Sequence, residues 1–214
     1  MKRVFLTGGS RGIGAATSVL LHERGWKVIA PTREHLDLQS EESVVRYIHA
    51  EMPDDLDALI LNAHAWYAQP MTQHTMQDFD RQMAYVRHHW CLLHAALHDR
   101  HLTSVVGIAS TRGLIGGVDS GPYSMAKAAM IAMMQGFARE YAGVRFNCIC
   151  PSWTDTDMGV QVKATGGVSN PLAVPQSPAF VAAFLVTLLE DATANGQVWR
   201  VADGIAEQVA WRMA

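Results

Sequence analysis

The sequence predicts an α/β fold: a doubly wound, parallel sheet of about six to seven strands with helices on both faces. Three observations predict it. Short apolar runs alternate with longer stretches of helical periodicity along the chain, the pattern of successive βα units. The first apolar run passes through a glycine-rich turn straight into a helical stretch. The 214 residues, 49% hydrophobic and 17% charged, suit one domain over residues 1–214 with a sizeable core.

Taken in order, residues 4–7 are a short apolar strand and residues 13–24 a helix that Gly25 stops. Residues 27–31 form the second strand. After Leu36-Asp37-Leu38, Ser40 opens a helix that runs to about residue 51, with Glu42 close behind the capping hydroxyl. Residues 56–62 are a buried strand, 78–100 a long helix and 103–109 a further strand. A helix rich in Ala and Met spans 123–141, and a strand over 144–150 ends at Pro151. A helix over 177–190 and a strand over 196–202 complete the series, with no internal repeat, low-complexity tract or charged tail. Residues 152–176 are rich in Gly, Pro, Ser and Thr and follow a strand, where an open α/β sheet binds its ligands. So long a connection is expected to be a substrate lid.

Composition narrows the functions. A net charge of -3 supplies no electrostatic reason for a nucleic acid or an anionic membrane as partner. The three cysteines, Cys91, Cys148 and Cys150, do not make a disulfide framework, and Cys148 and Cys150 would share one face of a strand as core thiols. The basic start at Lys2 and Arg3 leads into an apolar run too short for a signal peptide, and no segment approaches membrane-spanning length, so the cytoplasm is the expected location.

Chemistry is carried by two motifs. Thr7-Gly8-Gly9-Ser10-Arg11-Gly12-Ile13-Gly14 joins a strand to a helix, which gathers backbone N–H groups and a positive helix end at one point suited to a pyrophosphate. Gly8 permits the tight turn, Gly12 lets phosphates approach the backbone, and Gly14 lets the helix pack close to the strand. Tyr123-Ser124-Met125-Ala126-Lys127 puts a phenol and an ammonium on one helical face. An ammonium nearby lowers a phenol's pKa and makes it usable as acid or base near neutrality. Tyr-x-x-x-Lys alone is common on helical surfaces. Its weight comes from Ser110, which follows the strand at 103–109 and precedes Tyr123 by thirteen residues; otherwise Ser110 is a turn or helix cap.

The Gly-x-x-x-Gly-x-Gly turn with Ser110, Tyr123 and Lys127 resembles the short-chain dehydrogenase/reductase family. Further likenesses run nearly the whole length: Asn62-Ala63-His64 where the family has Asn-Ala-Gly, Asn147 through Pro151-Ser152 with Thr154 and Thr156, Gly196-Gln197-Val198, and Asp203-Gly204. The resemblance implies a Rossmann domain and a carbonyl–alcohol oxidoreductase using a nicotinamide cofactor and no metal. Ser110 would polarise the substrate oxygen, Tyr123 would be the acid/base, and Lys127 would tune Tyr123 and hold the nicotinamide ribose. Cofactor contacts are expected from Thr7, Gly8, Ser10, Arg11, Gly12, Ile13 and Gly14 in the turn. Arg33, Asp37 and Leu38 would contact the adenine side. Asn62, Ala63, Tyr123, Lys127, Pro151, Ser152, Thr154 and Thr156 would lie toward the nicotinamide. The second strand ends Ala30-Pro31-Thr32-Arg33 without the carboxylate that holds a 2′-hydroxyl, while Arg33 and Arg11 suit a 2′-phosphate, so NADP(H) is expected over NAD(H). A small carbonyl or alcohol substrate would meet residues 153–158, the loop beyond, and Trp66 and Tyr67. A homodimer or homotetramer is implied by the resemblance only.

The chain also departs from the family. Val86 stands where relatives carry an asparagine that holds a relay water; either His88 or His89 substitutes, or the relay is absent. His64 replaces a glycine and either crowds the nicotinamide site, offers a titratable group there, or points to solvent. Ser152 replaces the glycine after Pro151, and the stretch before Asp37 is short enough to lack a helix. His94, His98 and His101 share a helical face, better read as interfacial or solvated than as a zinc site. The competing functions are an NADP-binding sensor with little catalysis and, less in keeping with the glycine spacing and length, a sugar-nucleotide epimerase or dehydratase.

Overall fold

A computed structural model describes residues 1–98, 101–168 and 173–210. Seven strands form one sheet: β1 (Arg3–Leu6), β2 (Lys27–Ile29), β3 (Ala58–Leu61), β4 (Ser104–Ile108), β5 (Arg145–Pro151), β6 (Val198–Ala202) and β7 (Ile205–Gln208). Their spatial order is β2-β1-β3-β4-β5-β6-β7. The first six are parallel, as expected from the alternation of strands and helices, and β7 returns antiparallel to β6. That last strand is an addition to the sequence reading. Asp203 and Gly204 both take positive φ (56° and 74°), the conformation of a tight hairpin turn.

The buried strands alternate their side chains between two apolar layers. Val4, Leu6, Ile60, Val106 and Ile149 meet α1 (Gly12–Glu23) and α7 (Pro178–Glu190) on one face. Phe5, Leu59, Val105, Phe146, Cys148 and Cys150 face the other layer, built by α2 (Glu41–Ala50), α3 (Met76–Ala96) and α5 (Gly121–Glu140). Cys148 and Cys150 are thus free core thiols. Because β1 lies between β2 and β3, the chain leaves its carboxyl end in opposite directions. A crevice opens at that switch point, where ligands bind in open α/β sheets.

Several boundaries differ from expectation for local reasons. α3 begins at Met76 because Thr75 and Asp78 form a capping box, each side chain bonded to the other's backbone. It ends at Ala96, and residues 99–100 of the expected helix lie outside the described residues. α5 starts at Gly121, with Pro122 in the first turn, where its missing N–H costs nothing. A five-residue helix, α4 (Thr111–Ile115), follows Ser110 and is too short to show a helical period. Within the stretch expected to be a loop, α6 (Asp157–Ala164) is helical, and residues 169–172 lie outside the described set. Among the described residues no helix is long and apolar enough to cross a membrane.

Candidate active site

Ser110, Tyr123 and Lys127 converge at the carboxyl end of β4. Ser110 lies two residues past the strand and its Oγ accepts from Arg112 N at 3.2 Å, so it is the cap of α4 as well as an expected site residue. Tyr123 and Lys127 lie one turn apart on the buried face of α5, only 6% and 3% exposed. Lys127 Nζ donates to the backbone oxygen of Ile108 at 2.8 Å and lies 5.7 Å from the centroid of the Tyr123 ring. Burial pushes the Tyr123 hydroxyl up to about 12, against smaller downward pulls from its hydrogen bond with Ser110 and from the Arg112 charge. Burial also brings Lys127 down to about 8. The expected depression of Tyr123 by Lys127 is therefore corrected: desolvation of the phenol sets the direction, and the ammonium is directed at a backbone carbonyl. Tyr123 is held protonated at neutral pH.

These three side chains line one end of a cavity of about 1020 Å³. The glycine turn lines the other. Gly8 and Gly12 take φ of +70° and +56°, a region that suits glycine, and a Cβ on Gly12 would lie 3.0 Å from Thr156 Cγ2. A Cβ on Gly14 would overlap the Gly8 carbonyl oxygen, so this glycine is what lets α1 sit against the turn. α1 begins here with no side-chain cap, whereas α2, α3, α4, α6 and α7 each have a Ser or Thr cap. Its first N–H groups and its positive end are left for an anion, and Ser10 and Ile13 line the same end. The turn thus fits the pyrophosphate of a dinucleotide.

Thr7 was expected among the cofactor contacts and is corrected: it is 1% exposed and does not line the cavity. It braces the turn from behind. Its Oγ1 accepts from Asn62 N (2.9 Å) and Ala63 N (3.1 Å), while Asn62 Nδ2 donates to the carbonyls of Thr7 and Gly8 at 3.0 Å each. All the other expected residues line the cavity, including Leu38, Pro151, Ser152 and Thr154. At the adenine side Arg33 donates twice to Asp37 Oδ2 at 3.2 Å, and Arg11 sits 3.9 Å from Asp157. The two arginines expected to meet a 2′-phosphate are thus each matched by a carboxylate, in exposed pairs of the kind worth at most about 1 kcal/mol.

Comparison with known proteins adds the family. Residues 34–166, more than half of the chain, match the family model described as short chain dehydrogenase. The chain belongs to this family. An acetoacetyl-CoA reductase of Synechocystis sp. is 29% identical over 230 residues, which cover 94% of each chain. Two solved structures share the fold. A 3-ketoacyl-(acyl-carrier-protein) reductase from Brucella melitensis, complexed with NADH, has a TM-score of 0.83 and 17% identity and covers 94% of this chain and 96% of that one. ElxO with NADP bound has a TM-score of 0.80 and 21% identity, covering 95% and 98%.

In this short-chain dehydrogenase the described parts of the 152–176 stretch, residues 152–168 and 173–176, form a flap pinned at its neck. Thr154 and Gln176 form a parallel bridge, and Gln176 Nε2 donates to Val201 O at 2.9 Å. From the neck α6 reaches over the cleft, and beyond it Thr165 Oγ1 accepts from Trp66 Nε1 at 3.1 Å. Trp66 lies edge-on to Tyr123 with ring centroids 4.9 Å apart. Tyr67, expected in the pocket, instead sets its ring on His74 and is 41% exposed.

His64 points into the site and not to solvent. Its Nε2 bonds Gln82 Oε1 at 2.9 Å, and its ring lies 4.4 Å from that of Tyr85 and 5.2 Å edge-on from Tyr123. Burial, with the Lys127 charge, keeps it neutral, well below the usual histidine range. Of the candidates to replace the missing asparagine, His88 Nδ1 is hydrogen-bonded with Leu38 O at 2.8 Å, and His89 Nε2 lies 3.0 Å from Thr7 Oγ1. Sequence reasoning missed Gln82, Tyr85 and Arg112. The spacing of Gln82, Tyr85 and His89 along one buried face of α3 was the available signal for the first two.

Proposed function

We propose that this short-chain dehydrogenase interconverts a small carbonyl compound and its alcohol with NADP(H). The observation that carries this reading is the convergence of Ser110, Tyr123 and Lys127 at one end of a cleft whose other end is the uncapped start of α1. When bound, the reduced nicotinamide supplies a hydride to the carbonyl carbon. Ser110 Oγ donates a hydrogen bond to the carbonyl oxygen and polarises it. Tyr123 then gives its hydroxyl proton to that oxygen, and the alcohol is complete. A phenol raised to about 12 is protonated at pH 7, the form that can give a proton to the substrate oxygen. Lys127, charged below its value of about 8, steadies the phenolate left behind.

The preference for NADP(H) rests on the end of β2, where no carboxylate stands and Arg33 does. A 2′-phosphate would take over the guanidinium from Asp37, exchanging a weak exposed pair for a doubly charged, bidentate one. A cytoplasmic homodimer or homotetramer, with the outer face of α3 around Trp90 and His94 at the contact, completes the proposal. A sensor without chemistry would have no use for a buried Ser–Tyr–Lys set.

The test is oxidation of NADPH and of NADH against ketones, aldehydes and 3-oxoacyl thioesters, with a Tyr123→Phe variant alongside. Turnover that falls by about 10²–10⁴ in the variant while NADPH binding is kept supports the reading. Undiminished turnover in Tyr123→Phe would remove it.

A further inference from the structure

Six charged side chains line the cleft: Arg11, Arg33, Asp37, Arg112, Lys127 and Asp157. Four of them cancel in pairs, Arg33 with Asp37 and Arg11 with Asp157. Lys127 is committed to the Ile108 carbonyl. That leaves Arg112, with which no carboxylate among the described residues forms an ion pair.

Arg112 is held in place by features on both sides. Its backbone N–H donates to Ser110 Oγ, the cap of α4. Its helix, α4, lies tight on α5 because Gly113 has no side chain: a Cβ there would come 2.7 Å from the Lys127 carbonyl carbon. The guanidinium lies across Gly117, where any side chain would overlap it. Its Nη2 donates to the carbonyl oxygen of Gly167 on the flap. A neutral carbonyl satisfies one of five donors and none of the charge. Trp66, Trp153, Met158 and Val162 line the same cavity with apolar surface, and Lys163 Nζ lies 5.4 Å from the centroid of the Trp153 ring. The field of Arg112 reaches the reacting group, since it draws the Tyr123 hydroxyl downward. A partly buried guanidinium with this one donor bonded among the described residues is the complement of a planar carboxylate.

We propose that Arg112 is a specificity-determining residue that selects substrates bearing a carboxylate, with the reacting carbonyl at Ser110 and Tyr123 and an apolar body along Trp66 and Trp153. The substrate class is therefore an oxo-acid with an apolar or aromatic spacer. This rests on the reductase reading above and sharpens it.

The experiment compares 4-acetylbenzoate with its uncharged twin 4-acetylbenzamide as substrates, in the wild type, Arg112→Met and Arg112→Lys, with melting curves for each. The wild type is expected to favour the acid by about tenfold or more in kcat/KM, mainly through KM, which is the size of one net charge-assisted contact. Arg112→Met should bring the acid-to-amide ratio close to one, and Arg112→Lys should keep part of it. A wild-type ratio near one, or a ratio unchanged in Arg112→Met, overturns the proposal. Calorimetric binding of both compounds with saturating NADP+ separates the two readings. If neither ketone is reduced but the acid still binds about tenfold tighter than the amide in an Arg112-dependent way, the anion site stands and the reductase reading falls. Equal binding of the two compounds removes the anion site whatever the turnover.

Discussion

Lys127 reaches 2.8 Å to the carbonyl oxygen of Ile108, on the strand that delivers Ser110, so the helix carrying the phenol and the strand carrying the serine are locked by a buried ammonium. Its value of about 8, against an ordinary 10.5, shows that the lock is strained by desolvation: below pH 8 the folded state holds a charge it would shed more readily than the unfolded chain does.

Replacing that ammonium should separate stability from activity. Lys127→Met is expected to melt a few degrees higher at pH 7, at roughly 2–4 °C per kcal/mol for a chain of this size, because the cost of burying the charge disappears. Carbonyl reduction should fall by at least about 10² in the same variant. A lower melting temperature would show that the bond to Ile108 outweighs the desolvation.

The reductive rate should depend on pH through the same group. Wild-type kcat/KM is expected to hold from pH 6 to 7 and to decline as pH rises through about 8, where Lys127 loses its charge. His64, held well below the histidine range, should add no limb between pH 6 and 7. Profiles of the wild type and of His64→Gln, which should share the same alkaline limb, check this.

His89 should govern acid stability. Its folded value is about 3 against 6.5 for a free imidazole, so between those values the unfolded chain binds the extra proton and stability falls as pH falls. Its Nδ1 has no hydrogen-bond partner among the described residues, which adds to the cost of charging it in place. His89→Gln is expected to flatten the fall of melting temperature between pH 6.5 and 4, whatever its effect at pH 7.

Gly12→Ala should weaken NADPH binding by about tenfold or more and lower stability by on the order of 1 kcal/mol. Its φ of +56° disfavours any side chain, and the new methyl would press on Thr156. Fluorescence titration with NADPH and a melting curve measure both effects.

Arg33→Ala should lower the ratio of NADPH to NADH efficiency by about tenfold, with little change for NADH, because only the 2′-phosphate gains from that guanidinium. Steady-state kinetics with the two cofactors would show it. An unchanged ratio would place the discrimination elsewhere, with Arg11 next to be tested.

Much of the molecule was legible because its signals are local. The alternation of apolar runs and helical stretches determined the parallel order of β1 to β6, and the glycine spacing with Ser110, Tyr123 and Lys127 marked both ends of the cleft before any geometry was known. Asn62 and Asp37 were expected from the family resemblance, and both line the cleft. Other features depend on segments brought together across the sheet, where spacing carries no information. Thr7 belongs to the turn in sequence, yet its hydroxyl faces the amides of Asn62 and Ala63 and so braces the turn without touching the cleft. His64 could have faced water; Gln82 and Tyr85, from α3, turn it inward against Tyr123. The phenol's value follows from how completely the tertiary packing removes water around it, a quantity no motif encodes, and for that reason the sign of its shift opposed the expectation. Arg112 sits in a helix too short to have a period, and its lack of a carboxylate partner among the described residues appears only once every other charge in the cleft is paired or committed. The sequence by itself determined the fold and marked most of the residues that gather at the cleft; tertiary structure decided how those groups are charged and braced, because burial and partnership are set by segments distant along the chain.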